Sequence, residues 1–393
     1  MKILNAAVRP AMLLVTMVVV AVGGLLGTGC GGAKDAGPIV IGAVVSATGA
    51  AAPLGEPERN TLQLMEKSIN AAGGVIGRQI KLVVLDDQSA AKEAVTATNR
   101  LLQQEKAVAV IGASTSASTL AMKPITNKAG IPQIAMAAAN SITDEAPIDW
   151  MWRVAPKDNL AVARALAYVS QELKLTKIAV LYDENAFGSS GMAEIERTKG
   201  EYGLEVVASI SYKTDEADLT AHLTKIKGAN PEALVVWGTN PGPAVAARNM
   251  KQLSMTIPYI GSHGIANATF IELAGAAADG VVFPSNKVLL PESITDAKQK
   301  QVVTTFMADY QKEYGSAPNS FAAHAYDGLT VVLEAIKVAK STDPKALQAQ
   351  LNKLTKLSCA GGIFTYTATD HDGLSVDDMI MVKIDGGKWT LAK

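Results

Sequence analysis

The side chains that could do chemistry are few and scattered. Four histidines stand at 222, 263, 324 and 371, with no pair at metal-ligand spacing. Asp86 and Asp87 form an adjacent acidic pair ending an apolar run. Neighbours on a strand face opposite ways, so this pair is read as a cap or loop anchor, not a carboxylate dyad. No G-x-G-x-x-G follows the runs that end at Val45, Leu85 and Ile111, and no G-x-x-x-x-G-K-[ST] or G-x-S-x-G occurs. Ser116 has no histidine nearby in sequence; His324 would have to reach it through the fold to act as a base. No catalytic residue, metal or cofactor is therefore expected, and an enzyme is the weaker reading.

What the sequence offers instead is loops that bind through backbone N–H groups and hydroxyls. Ser46–Leu54, Asp86–Ala90, Gly112–Ser118, Ala135–Thr143, Tyr182–Ser190, Gly238–Pro243 and Gly261–Ala268 are rich in Gly, Ser, Thr and Asn. Each follows an apolar run that reads as a strand. Ile39–Val45 is near-continuously apolar, as a strand buried on both faces requires. Pro57–Ala72 then places Leu62, Met65 and Ile69 at helical spacing, and Gly73-Gly74 stops it. Strands at Ile80–Leu85, Ala107–Ile111 and Ile131–Ala135 and a helix at Ala90–Gln104 continue the cycle. After Trp152–Asn159 it restarts: helices at Ala161–Leu173, Gly191–Tyr202, Asp218–Lys227 and Pro243–Leu253 alternate with strands at Lys177–Tyr182, Val206–Ile210, Ala233–Trp237 and Tyr259-Ile260. Helices at Val302–Tyr314, Phe321–Val338 and Pro344–Leu354 follow, then a hairpin of Ile380–Ile384 and Trp389–Leu391. This βα alternation predicts an α/β protein of two doubly wound lobes, with ligand at the carboxyl ends of the strands.

Composition fits that class. The chain has 393 residues with 36 Lys+Arg against 37 Asp+Glu, so a basic nucleic-acid binder is excluded. Two cysteines exclude a disulfide scaffold. The start of the chain differs from the rest. Lys2 and Arg9 precede an uncharged run, Ala11–Leu26, which is too short to span a membrane and reads as a secretory signal. It ends in Leu25-Leu26-Gly27-Thr28-Gly29-Cys30, which resembles the lipobox of bacterial lipoproteins, with Gly27 where that motif has Leu. Residues 1–29 are expected to be a cleaved signal peptide, Cys30 an acylated first residue, and 30–37 a tether; an ordinary cleaved signal and an uncleaved anchor are the alternatives. Cys359 is then a solitary thiol with no basic neighbour to activate it.

Several loops carry a family resemblance. Ile41-Gly42-Ala43, Thr48-Gly49, Leu54-Gly55 and Asn70-Ala71-Ala72-Gly73-Gly74-Val75-Ile76-Gly77 resemble the opening of the type I periplasmic binding proteins, and Val84-Leu85-Asp86-Asp87 and Val110-Ile111-Gly112-Ala113-Ser114 fit as well. The nearest named group is the leucine/isoleucine/valine-binding proteins of bacterial ABC importers, and the resemblance runs from Ile39 to Lys393. It implies two lobes joined by three crossovers, with solute trapped by hinge closure. The crossovers would fall near Ala155–Lys157, Pro284–Asn286 and Ser358–Gly362. Lobe 1 would comprise 38–155 and 285–357, and lobe 2 would comprise 156–284 and 358–393.

The resemblance also implies a site. Ser116 matches the hydroxyl that holds a ligand carboxylate at a helix N-terminus, where free N–H groups and the dipole favour an anion; simple capping by Ser116 or Ser118 is the rival role. The second carboxylate position falls in Ala137-Ala138-Ala139, where Ala138 offers backbone and Ala139 replaces the family's Thr. The family's ammonium-binding acid aligns with His263, in Gly261-Ser262-His263-Gly264, and its aromatic partner with Asn240 or Pro241. Leu54, Phe187 and Tyr326 would contact the side chain. Two ligands stay open: an aliphatic amino acid whose ammonium uses Asp183 or Glu184 instead, or a carboxylate without an ammonium, such as an aromatic or branched acid, with His263 on a hydroxyl or on the carboxylate. The implied partners are ABC permease subunits, and the membrane through the lipid anchor, for a monomer in the periplasm or on the cell surface. A ligand sensor of the same fold is the alternative class; its intracellular members lack a secretion signal, which Met1–Cys30 counts against.

Overall fold

The computed structural model describes residues 37–392; the expected signal peptide, Cys30 and most of the expected tether lie outside them. Strands β1 to β5 (Ile39–Val45, Ile80–Asp86, Val110–Gly112, Gln133–Ala135, Met151–Arg153) form an all-parallel sheet in the order β2-β1-β3-β4-β5. Helices α1 to α4 (Ala52–Ala71, Ala91–Gln103, Ser116–Ala129, Ser141–Asp144) follow its first four strands in turn. Strands β6 to β10 (Lys177–Asp183, Glu205–Tyr212, Ala233–Trp237, Tyr259–Gly261, Val282–Asn286) belong to a second sheet, β14-β13-β10-β9-β8-β6-β7, in which β13 (Met379–Asp385) runs antiparallel to its neighbours β10 and β14 (Lys388–Leu391). Its helices are α5 to α9 (Asp158–Ala167, Ala186–Thr198, Thr220–Gly228, Gly242–Gln252, Ala268–Ala274). Three more, α10 to α12 (Ala297–Tyr314, Ser320–Ala339, Pro344–Leu351), return to the first lobe, and Leu357–Ser358 (β11) with Ile363–Phe364 (β12) makes a small hairpin.

The alternating faces of the strands explain the layering. Along β1, Ile39, Ile41, Ala43 and Val45 enter one core with Leu62 of α1 and Leu329 and Val332 of α11. Val44 enters the opposite core with Ala94 and Leu101 of α2 and Met122 of α3. Along β8, Leu234 and Val236 pack with Leu223 and Ala244, whereas Ala233, Val235 and Trp237 pack with Ala161, Val162 and Ile195. A strand covered by helices on both sides has no solvated face, so its sequence is apolar throughout. Each fully buried Val, Leu or Ile contributes about 1.5–3 kcal/mol. Among the described residues, no helix is long and apolar enough to cross a membrane.

The chain passes between the two sheets three times: after β5, after β10 and between β12 and β13. Two local expectations need correction. Pro284–Asn286, expected at a crossover, is the end of β10, with Pro284 opposite Met381 and Asn286 opposite Met379. Proline is tolerated there because β9 pairs with β10 only at Val282, so the missing N–H costs no ladder bond on that side. The break read at Trp152–Asn159 begins inside β5, a fully buried edge strand pairing with β4.

Candidate functional site

A cavity of about 150 Å³ lies where the strands of both sheets end. All seven loops singled out from the sequence contribute to it: Ala50, Ala51 and Leu54; Ser89; Ser114 to Ala117; Met136 to Ala138; Asn185 and Phe187; Thr239; His263 and Gly264. Ala155, Thr214, Phe321 and His324 complete the lining. The carboxyl ends of parallel strands gather the helix N-termini at one edge, which makes this the place for a ligand.

One wall is built to hold an anion. Thr115, not Ser116 or Ser118, caps α3, its Oγ1 accepting from Ser118 N at 3.3 Å. The N–H groups of Ser116 and Ala117, in the first turn, have no acceptor within the helix. The Ser116 hydroxyl accepts from Ala139 N at 3.2 Å, which spends a lone pair and leaves its O–H to donate. Two N–H groups and one hydroxyl thus converge at the positive end of a helix dipole. Behind them the Ser114 hydroxyl accepts from Ser46 N at 2.8 Å and donates to Glu58. Burial pushes the Glu58 carboxyl well above its ordinary value, so this acid is neutral support rather than a charge in the site. Gly112 must be glycine: a Cβ there would come within 2.2 Å of Val44 O.

Two histidines face the cavity. His263 is 6% exposed and His324 3%, and neither ring nitrogen of either has a hydrogen-bond partner among the described residues. Burial holds both imidazoles down at about 3, with His324 and then Arg153 adding to the shift on His263. Both are therefore neutral at physiological pH. His324 and Ser116 line the same cavity, but the histidine holds no hydrogen bond to the hydroxyl, so no nucleophile–base pair forms.

The structure brings Leu54, Ser116, Ala138, Phe187 and His263 to one cavity and leaves three expected residues out of its lining. Ala139 sits behind, its N–H on Ser116 and its carbonyl accepting from Arg153. Asn240 is buried and donates to Asn267 Oδ1 at 3.1 Å, so Thr239 takes its place. Tyr326 packs on Phe306 with ring centroids 4.8 Å apart. On a helix, Phe321 and His324 share a face, whereas residue 326 points roughly 200° round from 324. Asp183 is buried behind the wall, its carboxylate accepting from Thr214 Oγ1 at 2.7 Å and Asn185 N at 3.1 Å; Glu184 is exposed. Neither lines the cavity. No Asp, Glu, Lys or Arg appears among the described residues that do.

Sequence reasoning missed His324 and Phe321 as ligand-facing residues. The available signal was Asn319, which caps α11 by accepting from Phe321 N and Ala322 N at 3.0 Å and so fixes where the inward first turn begins.

Comparison with known proteins agrees with this architecture. Residues 38–388 match the family model described as periplasmic binding protein. An amino acid binding protein of Pseudomonas aeruginosa is 30% identical over 311 residues, covering 78% of this chain and 80% of its own. A leucine-, isoleucine-, valine-, threonine- and alanine-binding protein of the same organism is 26% identical over 309 residues, covering 78% and 80%. The branched-chain amino acid transporter substrate binding protein LivJ of Streptococcus pneumoniae, solved with isoleucine, superposes with a TM-score of 0.81 at 28% identity, over 91% of this chain and 99% of its own. With two α/β lobes and a cleft at the strand ends, this chain belongs to the type I periplasmic binding proteins of the leucine/isoleucine/valine-binding family, non-enzymatic solute-binding proteins that work outside the cytoplasm.

Proposed function

We propose that this protein captures a small carboxylic acid lacking an ammonium group and delivers it to the permease of an ABC importer. The observation that carries this reading is the absence of any acidic side chain among the described residues lining the cavity. An amino acid brings a compact cation, and a cation buried without a counter-charge costs several kcal/mol. Neutral His263, at the position where the resemblance expects an acid, supplies none. The carboxylate would rest on Ser116 and the N–H groups of Ser116 and Ala117, with Leu54, Met136, Phe187 and Phe321 around its apolar part. A cavity of about 150 Å³ is comparable to one that takes up benzene, which suits an aromatic or short branched acid. Hinge closure between the lobes would complete the enclosure, and acylated Cys30 would hold the protein at a membrane.

Thermal unfolding against a panel of leucine, isoleucine, valine, benzoate and short branched acids tests the ligand class. A ligand at 100 times its Kd stabilises by about 2.7 kcal/mol. A rise in Tm with the acids alone is expected; a rise with leucine or valine and none with the acids refutes the reading. Palmitate labelling of the wild type and of Cys30→Ala tests the anchor; label on both, or on neither, refutes it.

A second reading keeps a branched amino acid as the ligand. It is favoured by the amino acids that the Pseudomonas aeruginosa relative is named for binding and by the isoleucine held in LivJ.

A further inference from the structure

We propose that His263 and His324 form a second polar subsite that recognises a hydroxyl on the ligand, at the end away from the carboxylate. The inference rests on the carboxylate reading above and adds the class of ligand: a hydroxy-substituted monocarboxylic acid with a flat or short apolar spacer.

Two histidines line a single cavity, and all four of their ring nitrogens are buried without partners among the described residues. A buried polar atom left unsatisfied carries its full desolvation cost, so these rings call for a hydrogen-bonding ligand. The two rings arrive from different lobes, His263 after β9 and His324 on α11. Each is fixed edge-on by a cavity phenylalanine: Phe187 and His263 have centroids 5.2 Å apart at 81°, and Phe321 and His324 5.7 Å apart at 85°. Trp237 braces His263 from behind at 5.8 Å. The pair is therefore held in place rather than free to turn to solvent.

The chemistry of the pair selects the group. A neutral imidazole carries one N–H donor and one bare nitrogen acceptor. Between them, two such rings accept a hydroxyl proton and donate to its oxygen. An ammonium offers donors alone and a charge that nothing in the lining balances. A second carboxylate would bury a second negative charge with no Lys or Arg among the described residues lining the cavity. A hydroxyl matches both halves of the pair and carries no charge.

The test is isothermal titration calorimetry on the purified full chain with acids paired to differ by one hydroxyl. The pairs are benzoate with 4-hydroxybenzoate, 3-phenylpropanoate with 3-(4-hydroxyphenyl)propanoate, and pentanoate with 5-hydroxypentanoate; terephthalate is the dicarboxylate control. In the wild type, at least one hydroxylated member is expected to bind about 10- to 100-fold tighter than its partner. In His263→Phe and His324→Phe that ratio falls towards one, whereas His324→Gln, which keeps a donor and an acceptor, retains most of it. If the phenylalanine variants do not fold, loss of the ratio in His324→Leu with retention in His324→Gln decides the point. Acids that bind with no hydroxyl preference, or terephthalate binding tightest, overturn this proposal and leave the carboxylate reading standing. Failure of every acid in the panel to bind overturns both.

Discussion

Replacing Asp372 by alanine removes a carboxylate on which three donors converge. Arg153 Nε donates to it at 3.0 Å, Thr143 Oγ1 at 2.5 Å and Lys157 Nζ at 3.0 Å. The Arg153 side chain is fully buried and that of Lys157 is 9% exposed. Arg153 also donates to the carbonyls of Ala137 and Ala139, both at 3.0 Å, so the network fixes the loop that carries Ala138 into the cavity. Breaking a buried ion pair from one side costs about 3–5 kcal/mol, because the remaining charge stays buried. The loss is expected near the lower end, about 3 kcal/mol, since Lys157 keeps Asp144 and Asp372 itself is 21% exposed. Urea unfolding at pH 7 checks this as a lower midpoint at unchanged m. The effect also has a pH signature. Burial alone raises the Asp372 carboxyl, but Arg153, then Thr143 and Lys157, outweigh it and hold the group below its ordinary 3.8. A depressed folded value stabilises fully above the unfolded one and is lost as pH falls through the folded value. The gap between wild type and Asp372→Ala should therefore hold steady above about pH 5 and narrow below about pH 4. A variant within about 0.5 kcal/mol of wild type at pH 7 would refute the reasoning.

The two cavity histidines have a linkage of the same sign in a higher pH window. The unfolded chain binds their protons near 6.5 and the folded chain only near 3, so stability falls as pH drops between those values, by up to about 1.4 kcal/mol per pH unit for each ring. Urea midpoints of His263→Phe between pH 7 and pH 4 should show a shallower decline than wild type; an identical slope would mean the ring is already charged or solvated. Glu58 is buried and neutral, so Glu58→Gln should cost under about 1 kcal/mol, whereas Glu58→Ala, which leaves Ser114 unpartnered beside a void, should cost about 2–4 kcal/mol. Its raised value means stability declines as pH rises above the unfolded 4.5, a decline the Gln variant should lack; equal damage from both variants would show an ionised carboxylate. A Cβ at Gly264 meets Gly238 O at 2.5 Å and Phe187 Cε1 and Thr239 Cγ2 at 3.0 Å, so Gly264→Ala should weaken binding of the tightest acid at least about tenfold and cost about 1–3 kcal/mol in stability. Calorimetry showing unchanged affinity would mean the cavity wall yields.

The architecture was legible because it depends on local periodicity. A strand such as β1, covered on both faces, must be apolar throughout, and Gly73-Gly74 stop a helix where the spacing ends. The strand ends were legible for the same reason, and the seven loops read there all reach the cavity. The strand ending in Pro284 was not, since proline is excluded from a strand only where its N–H is needed, which depends on where β9 ends.

The sequence by itself determined that polar loops without acid–base pairs meet at the carboxyl edge of parallel sheets, and that Ser116 stands at a helix N-terminus. Tertiary structure decided which side chains face inward. It turned Tyr326 onto Phe306 and brought His324 round to the cavity, because helical phase is set by the α11 cap and by what the helix packs against. It also decided the charge of the site. His263 and His324 are ionisable in any list of residues, but burial without a counter-charge keeps them neutral, while Asp183 spends its carboxylate on Thr214 and Asn185 behind the wall. Charge depends on solvent and neighbours in three dimensions, and spacing along a chain does not carry that information.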